Sequence, residues 1–516
     1  KGSDKMKYDC IVIGAGISGL SCAAFIAKAG KKVILIERSE KPGGYFSSFE
    51  YNGYHFDSGI KAVENAGLLF PMLENFGIMD KLNFVKNRVY AGFEDKVFSM
   101  ESDESLLEYF DFLGERFPES RSGIEDLLKE MEELNSFMGS LSGMSGPLYG
   151  KTTFLTKLKS IPWFLKNGKK LLGFLKKLKY NNIPFRDFLK VRIPDDELVS
   201  IIDEPFFEGT PAFFGLAYPT VFRDYFYPRG GIEQIPLELA EFIRKSGGTV
   251  LTNTEVTKIL LERSSPAGVV TDTGQEIESP VIVNAADAKR LYNKLLPENS
   301  VDLDFLQRLN RAQVSDSVFS VFMGVDTAPE NLDQHVEHII YVPAAAKHCD
   351  YESPEYFKTT GMEISIPCMR DPSLAPAGKT GIILNVNTTQ KAMNGWGRSV
   401  SRAEYERLKE QAADDVMANF FRLYPSLKEK IEFRIVSTPF TMEEKTLNSG
   451  GSITGWNYHP SETFPLRDFR KMKRSIDTPV RNLFQIGQWS FDPAGVPVCL
   501  ITAKLAADRV LNISRT

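Results

Sequence analysis

Wholly apolar runs alternate with stretches of helical pattern near the start of this chain. Cys10 to Ile13 is apolar at every position, as a strand buried on both faces of a parallel sheet would be. Leu20 to Lys28 mixes small and apolar residues suited to a close-packed helix, and Gly30 ends it. Lys32 to Ile36 predicts a second buried strand, which stops on Glu37. The same pattern returns twice. Glu233 to Lys245 predicts a helix closed by Gly247-Gly248. Strands are predicted at Thr249 to Thr252 and at Ser279 to Asn284, the latter turning at Ala285-Ala286-Asp287. Toward the C-terminus, Leu483 to Ile486 predicts a strand and Val498 to Val510 a helix.

The first strand and helix are joined by Gly14-Ala15-Gly16-Ile17-Ser18-Gly19. Each glycine of this G-x-G-x-x-G has a physical task in a β-α-β unit that binds a dinucleotide. Gly14 turns the chain off the strand, Gly16 lets backbone approach a pyrophosphate, and Gly19 lets the helix pack close to the sheet. Unpaired N–H groups at the helix start attract phosphate. Glu37, at the end of the second strand, can accept hydrogen bonds from ribose hydroxyls. Pro42-Gly43-Gly44 follows, a second glycine pair that suits backbone passing close to a ligand or an ordinary turn.

Glu37-Arg38 with Gly43-Gly44 and Ser47-Ser48 resembles the extended FAD fingerprint of the amine-oxidase and phytoene-desaturase superfamily. Tyr227-Pro228-Arg229-Gly230-Gly231-Ile232, the stretch Asp371 to Thr380 and NLFQIGQWSFDPAGVPVCLITAKLAADRV near the C-terminus resemble its phytoene-desaturase branch. That branch includes carotenoid desaturases, carotenoid isomerases and retinol saturases. The resemblance implies an FAD-dependent oxidoreductase. Its cofactor contacts would be Gly14, Ala15, Gly16, Ser18, Gly19, Glu37, Arg38, Gly43, Gly44, Val256, Gly487, Gly495 and Val496. The substrate would be a long apolar unsaturated molecule such as a carotenoid or retinoid, reached through a channel ending at the flavin. Desaturation, saturation and isomerisation all stay open. No catalytic residue is assigned. Tyr225, Tyr227 and Trp489, which adjoin the family motifs, are candidate lining residues, as are Phe206, Phe207, Phe213 and Phe214. For any one of them hydrophobic core is the competing role. Arg223 and Asp224 are the nearest titratable groups in that segment, with a surface ion pair as the favoured reading.

The expected fold is α/β, a Rossmann-like FAD-binding domain with a discontinuous α+β substrate domain. The FAD-binding domain would take residues 6–70, 225–290 and 478–516, and the substrate domain 71–224 and 291–477. A chain of 516 residues exceeds the usual size of one core, which agrees with two domains. A second G-x-G-x-x-G is absent, so a separate NADPH domain is not expected.

Charge and composition narrow the partners. A net charge of −5 argues against nucleic acid. Cys10, Cys22, Cys349, Cys368 and Cys499 form no C-x-x-C, which suggests reduced thiols and a cytoplasmic setting. His335 and His338 have no companions at metal-ligand spacing and read as surface residues. The first strand begins almost at once, so no secretory leader is expected, and no apolar run is long enough to span a membrane. Glu101 to Asn135 holds 12 acids against three basic residues, whereas Lys151 to Lys190 holds ten lysines and Arg186 against Asp187 alone. Phe, Leu and Trp residues interleave those lysines. The 151–190 segment reads either as a surface element for anionic membranes or as a helix pair with a solvated lysine face. Oligomeric state is not indicated.

One motif departs from the family. Carotenoid desaturases carry glycines before Val-Pro-Gly, but Asp492-Pro493-Ala494-Gly495-Val496-Pro497 stands here. The segment should still bring a helix N-terminus to the flavin ring, and Asp492 could add a carboxylate there. Two other readings share the fold: an amine oxidase, and a non-catalytic lipid-binding chaperone.

Overall fold

The computed structural model describes residues 7–141, 176–334, 336–344, 346, 350–459 and 467–513. A five-stranded parallel sheet runs in the order Thr249–Leu251, Val33–Ile36, Cys10–Ile13, Ile282–Asn284, Leu483–Gln485. Its register is continuous, with Ile11 opposite both Ile34 and Ile282, and Ile282 opposite Leu483.

Side chains alternate across this sheet, and both faces are covered. Cys10, Val12, Val33 and Leu35 point to one face, under helices Ile17–Lys28, Gln234–Lys245 and Val496–Ile513. Ile11, Ile13, Ile34 and Ile36 point to the other. There they pack against Val256, Ile259, Val269 and Ile277 of a three-stranded antiparallel sheet, Val256–Glu262, Ser265–Thr271 and Glu276–Glu278. Burial on both faces explains why the strands read as unbroken apolar runs. The first helix starts at Ile17, before Leu20, because extended Gly16 caps it. The last starts at Val496, where Val498 was expected.

Above the site lies a seven-stranded mixed sheet in the order Ile431–Ser437, Ser317–Val325, Thr380–Thr388, Met362–Ser365, His338–Val342, Tyr90–Phe93, Lys96–Ser99. Ser317–Val325 is buried at every position. The acidic stretch forms helices Asp103–Arg116 and Arg121–Leu141. Their apolar faces, with Phe110, Leu113 and Leu127, pack on Phe185, Leu189 and Leu216. A small sheet pairs Val63–Glu64 and Phe84–Lys86 with Tyr225–Pro228, bridging the layers. Among the described residues no helix is long and apolar enough to cross a membrane.

The tightest contact in the β-α-β unit is at Gly19. A Cβ there would lie 1.9 Å from the carbonyl oxygen of Gly14, whereas a Cβ on Gly16 would meet nothing within 4 Å. Gly19→Ala should therefore destabilise the ligand-free protein by about 1–3 kcal/mol, the usual cost of overpacking, while Gly16→Ala leaves it unchanged. Thermal unfolding of the two variants measures the difference.

Candidate functional site

The glycine loop opens onto one large cavity of about 1480 Å³, bounded by the parallel sheet on one side and the seven-stranded sheet on the other. Gly14, Gly16, Ser18, Glu37, Arg38, Gly43, Gly44 and Val256 line it, as do Gly495 and Val496 from the start of the last helix. Gly14 leaves the strand at φ +92°, a conformation that favours glycine. The helix that follows has no side-chain cap and no acid in its first turn, so its N–H groups and dipole remain free for an anion. Glu37 is held by the loop itself: its Oε2 accepts from Ala15 N and its Oε1 from Ser39 N, both at 2.8 Å. Its remaining lone pairs can accept hydroxyls. Gly43 N donates to Ala15 O at 2.8 Å, so the second glycine pair buttresses the first.

Ala15, Gly19 and Gly487 shape this end without lining it. A Cβ on Gly487 would lie 2.8 Å from Ser18 Oγ. Arg38 turns its guanidinium to the carbonyl oxygen of Glu444, 2.8 Å away. The space open at Gly16, the uncapped helix and the presented carboxylate together suit a dinucleotide.

The rest of the wall is largely apolar, with Phe206, Phe207, Phe213, Phe214, Tyr225 and Trp489 on it. Trp489 is fixed by its Nε1 donating to Asn448 Oδ1 at 2.9 Å and by an edge contact with Trp456, ring centres 5.0 Å apart. Tyr227 is not part of the lining. Its ring is wholly buried, its hydroxyl donates to Asp57 Oδ2 at 2.7 Å, and Arg370 stacks over it at 4.3 Å. Asp492 also turns away, to a buried contact with Arg467 at 2.9 Å. Burial, against the pull of Arg467, pushes its carboxyl up to about 7.

Several polar groups interrupt this apolar wall, and sequence reasoning did not single them out. Glu363, Asn385, His338, Glu204, Lys61, Glu64 and Tyr218 all line the cavity. His338 was expected on the surface, yet it is 2 % exposed, with Nε2 2.8 Å from Glu363 Oε1. Its orientation follows from its neighbours. Arg370 can only donate, and it donates to Asn87 Oδ1, so the Asn87 amide nitrogen faces His338 Nδ1 at 3.0 Å. That leaves Nε2 as the proton-bearing nitrogen, in close contact with Glu363. Burial opposes ionisation of Glu363. The His338 contact, the Lys61 charge and the Asn385 amide at 2.7 Å outweigh it and hold the carboxyl down to about 2. Lys61 donates to the carbonyl oxygens of Asp57 at 2.7 Å and Gly59 at 2.6 Å, and burial brings its ammonium down to about 8. A charged residue inside a short apolar strand, as in Met362–Ser365 or Val63–Glu64, was the available clue.

Other expectations are also corrected. Arg223 and Asp224 do not pair with each other: Arg223 bonds Asp103 at 2.6 Å, and Asp224 Oδ2 accepts from Ala66 N at 2.6 Å. Most of the 151–190 segment, along with His335 and Cys349, lies outside the described residues. Within its described part Lys177 is buried and paired with Glu130 and with Glu133, the latter at 2.9 Å, so it is no solvated lysine. Leu178, next to it, lines the cavity. Among the described residues no group of three or more His, Cys, Asp and Glu could hold a metal ion.

Residues 17–511 match the family described as flavin containing amine oxidoreductase. The chain belongs to this family. It is an oxidoreductase, and its cofactor is FAD. Curated relatives include the all-trans-retinol 13,14-reductase of Rattus norvegicus, 27% identical over 98% of this chain and 86% of that protein. An inactive all-trans-retinol 13,14-reductase of Danio rerio is 26% identical over the same shares. The chloroplastic prolycopene isomerase of Daucus carota is 26% identical over 98% of this chain and 80% of its own. Among solved structures, a putrescine oxidase bound to putrescine superposes with a TM-score of 0.62 at 15% identity, covering 99% of this chain and all of that one. An oxidoreductase of Methanosarcina mazei gives 0.56 at 16% over 98% of this chain and all of that one. These structures share the fold.

Gly16→Val, which places a branched side chain in the open space beside the loop, should abolish flavin retention while the protein stays folded. Glu37→Ala should weaken it by about 1–3 kcal/mol, the scale for a lost charged hydrogen bond. Flavin absorbance per protein after dialysis reads both.

Proposed function

We propose that this enzyme adds or removes hydrogen at a double bond of a long apolar polyene, a retinoid or carotenoid, or isomerises such a bond. The observation that carries the reading is the single cavity that joins the dinucleotide loop to an aromatic, largely apolar wall. A cavity of that size has room for both a dinucleotide and an extended hydrocarbon. The retinol reductase and prolycopene isomerase relatives support the substrate class.

In this reading the Gly14–Gly19 loop and the following helix start hold the pyrophosphate, and Glu37 holds the adenosine ribose. Arg38, Gly43, Gly44 and Val256 enclose that half. Gly495 and Val496, at the start of the last helix, would face the flavin ring, where the helix's positive end would favour negative charge, and Gly487 packs on Ser18 behind the loop. Bound FAD supplies the acceptor or donor of a hydride. Tyr225, Trp489 and the phenylalanines exclude water and align the polyene against it. Delivery from an anionic membrane through residues 151–190 belongs to the same proposal. It predicts sedimentation with anionic vesicles that weakens, without vanishing, as salt rises.

Anaerobic incubation of the yellow protein, oxidised or reduced, with a panel of retinoids and carotenoids tests the reading. A mass change of about two units marks hydrogen transfer, and an unchanged mass with altered retention marks isomerisation. Rapid reduction of the flavin by a soluble amine, with every polyene inert, would overturn it in favour of an amine oxidase.

A further inference from the structure

Among the carboxyl groups that line the cavity are Glu64, Glu204 and Glu363. Two are already committed. Glu204 Oε1 accepts from Thr360 Oγ1 at 2.8 Å and from Gly361 N at 2.6 Å. Glu363 is held by His338 and Asn385. Glu64 has no ion pair and no side-chain partner among the described residues. The strand Val63–Glu64 pairs with Tyr225–Pro228, setting Glu64 opposite Tyr225. The Tyr225 hydroxyl lies 3.3 Å from that of Tyr218, and its ring lies 6.5 Å from His338.

We propose that Glu64 is the proton-exchanging catalytic acid and base of this enzyme, giving a proton to one carbon of the polyene or taking one from it. The proposal rests on the polyene reading above. When a double bond is saturated, one carbon receives a hydride, whose electron pair comes from reduced FAD. The π pair then forms a second C–H bond as the O–H bond of Glu64 breaks, leaving a carboxylate. Desaturation runs the same steps backward, with the proton returning to Glu64 and the hydride to oxidised FAD.

The surroundings suit this work. Burial, with a smaller contribution from the Asp224 charge, pushes the Glu64 carboxyl up to about 7, and an acid–base group is most effective when its pKa lies near the working pH. The groups facing it are Asp224 ahead of its partner strand, Tyr225 on that strand, Tyr218 on helix Ala212–Phe222 and Cys499 on the last helix. None of these four is a cation that would hold Glu64 ionised. Glu363, kept ionised beside the same tyrosines, supplies a fixed negative charge instead. Between about pH 2 and pH 7 the two carboxyls have opposite protonation, the division of labour that marks acid–base pairs.

The test uses FAD-loaded wild type, Glu64→Gln and Glu64→Asp, each checked for flavin content. Infrared difference spectra between pH 5 and 9 read the carboxyl without substrate. A protonated C=O band that titrates near pH 7 in the wild type and is missing from Glu64→Gln is expected. With a polyene in D₂O, Glu64→Gln should lower solvent-deuterium incorporation by about 10²–10⁴-fold, and Glu64→Asp should restore part of it. Saturation should slow as pH rises through about 7, and desaturation should quicken. The assignment is overturned if the band titrates near pH 4, or if Glu64→Gln keeps the wild-type rate and pH profile. A wild type that shows the band but turns over no polyene sinks the substrate reading while upholding an exchangeable carboxyl at Glu64.

Discussion

The close approach of the first helix to the turn at Gly14 is the contact on which the site depends. Because Gly19 has no side chain, helix Ile17–Lys28 settles against the end of the strand, and its free N–H groups are aimed into the cavity. The last helix packs on the first, and Gly487 touches Ser18 through the same absence of a side chain. That stacking carries Gly495 and Val496 into the wall. A bulkier residue at position 19 would push the first helix away and shift every group the nucleotide and the ring would meet. The glycine is thus a packing constraint first and a binding feature only by consequence.

The cavity poses a second problem, since its polar groups sit where water and hydrocarbon compete. The solution is a chain of mutually fixed partners. Arg370 orients Asn87, Asn87 orients His338, and His338 meets Glu363. These contacts, with the Asn385 amide, help keep the buried Glu363 charge tolerable. Lys61 is bound by backbone carbonyls instead, so it leaves the carboxylates their own partners. A wall built this way can be apolar over most of its area yet carry a few ionisable groups at defined places.

Much of the nucleotide half was legible in the chain, because its signals are local. Strands buried on both faces are apolar throughout, and the glycines stand at fixed intervals between strand and helix. The substrate half was not legible in the same way. Glu363 and His338 meet only because Met362–Ser365 pairs with His338–Val342, and Glu64 faces Tyr225 across 161 positions of sequence. Tyr227 adjoins a family motif as Tyr225 does, yet its hydroxyl is bonded to Asp57, a partner distant in sequence, and its ring is buried in the core. Within the basic stretch, composition also cannot tell that one lysine, Lys177, is folded against Glu130 and Glu133.

The central claim is that the nucleotide loop and the apolar wall enclose one space, so that an occupant of the wall touches the flavin. Flavin fluorescence of the holoprotein, followed during titration with a retinoid or carotenoid, measures this directly. A saturable change at one equivalent, lost when Phe213 and Phe214 are replaced by charged residues, is the predicted result. Tight polyene binding that leaves the flavin signal untouched would contradict it.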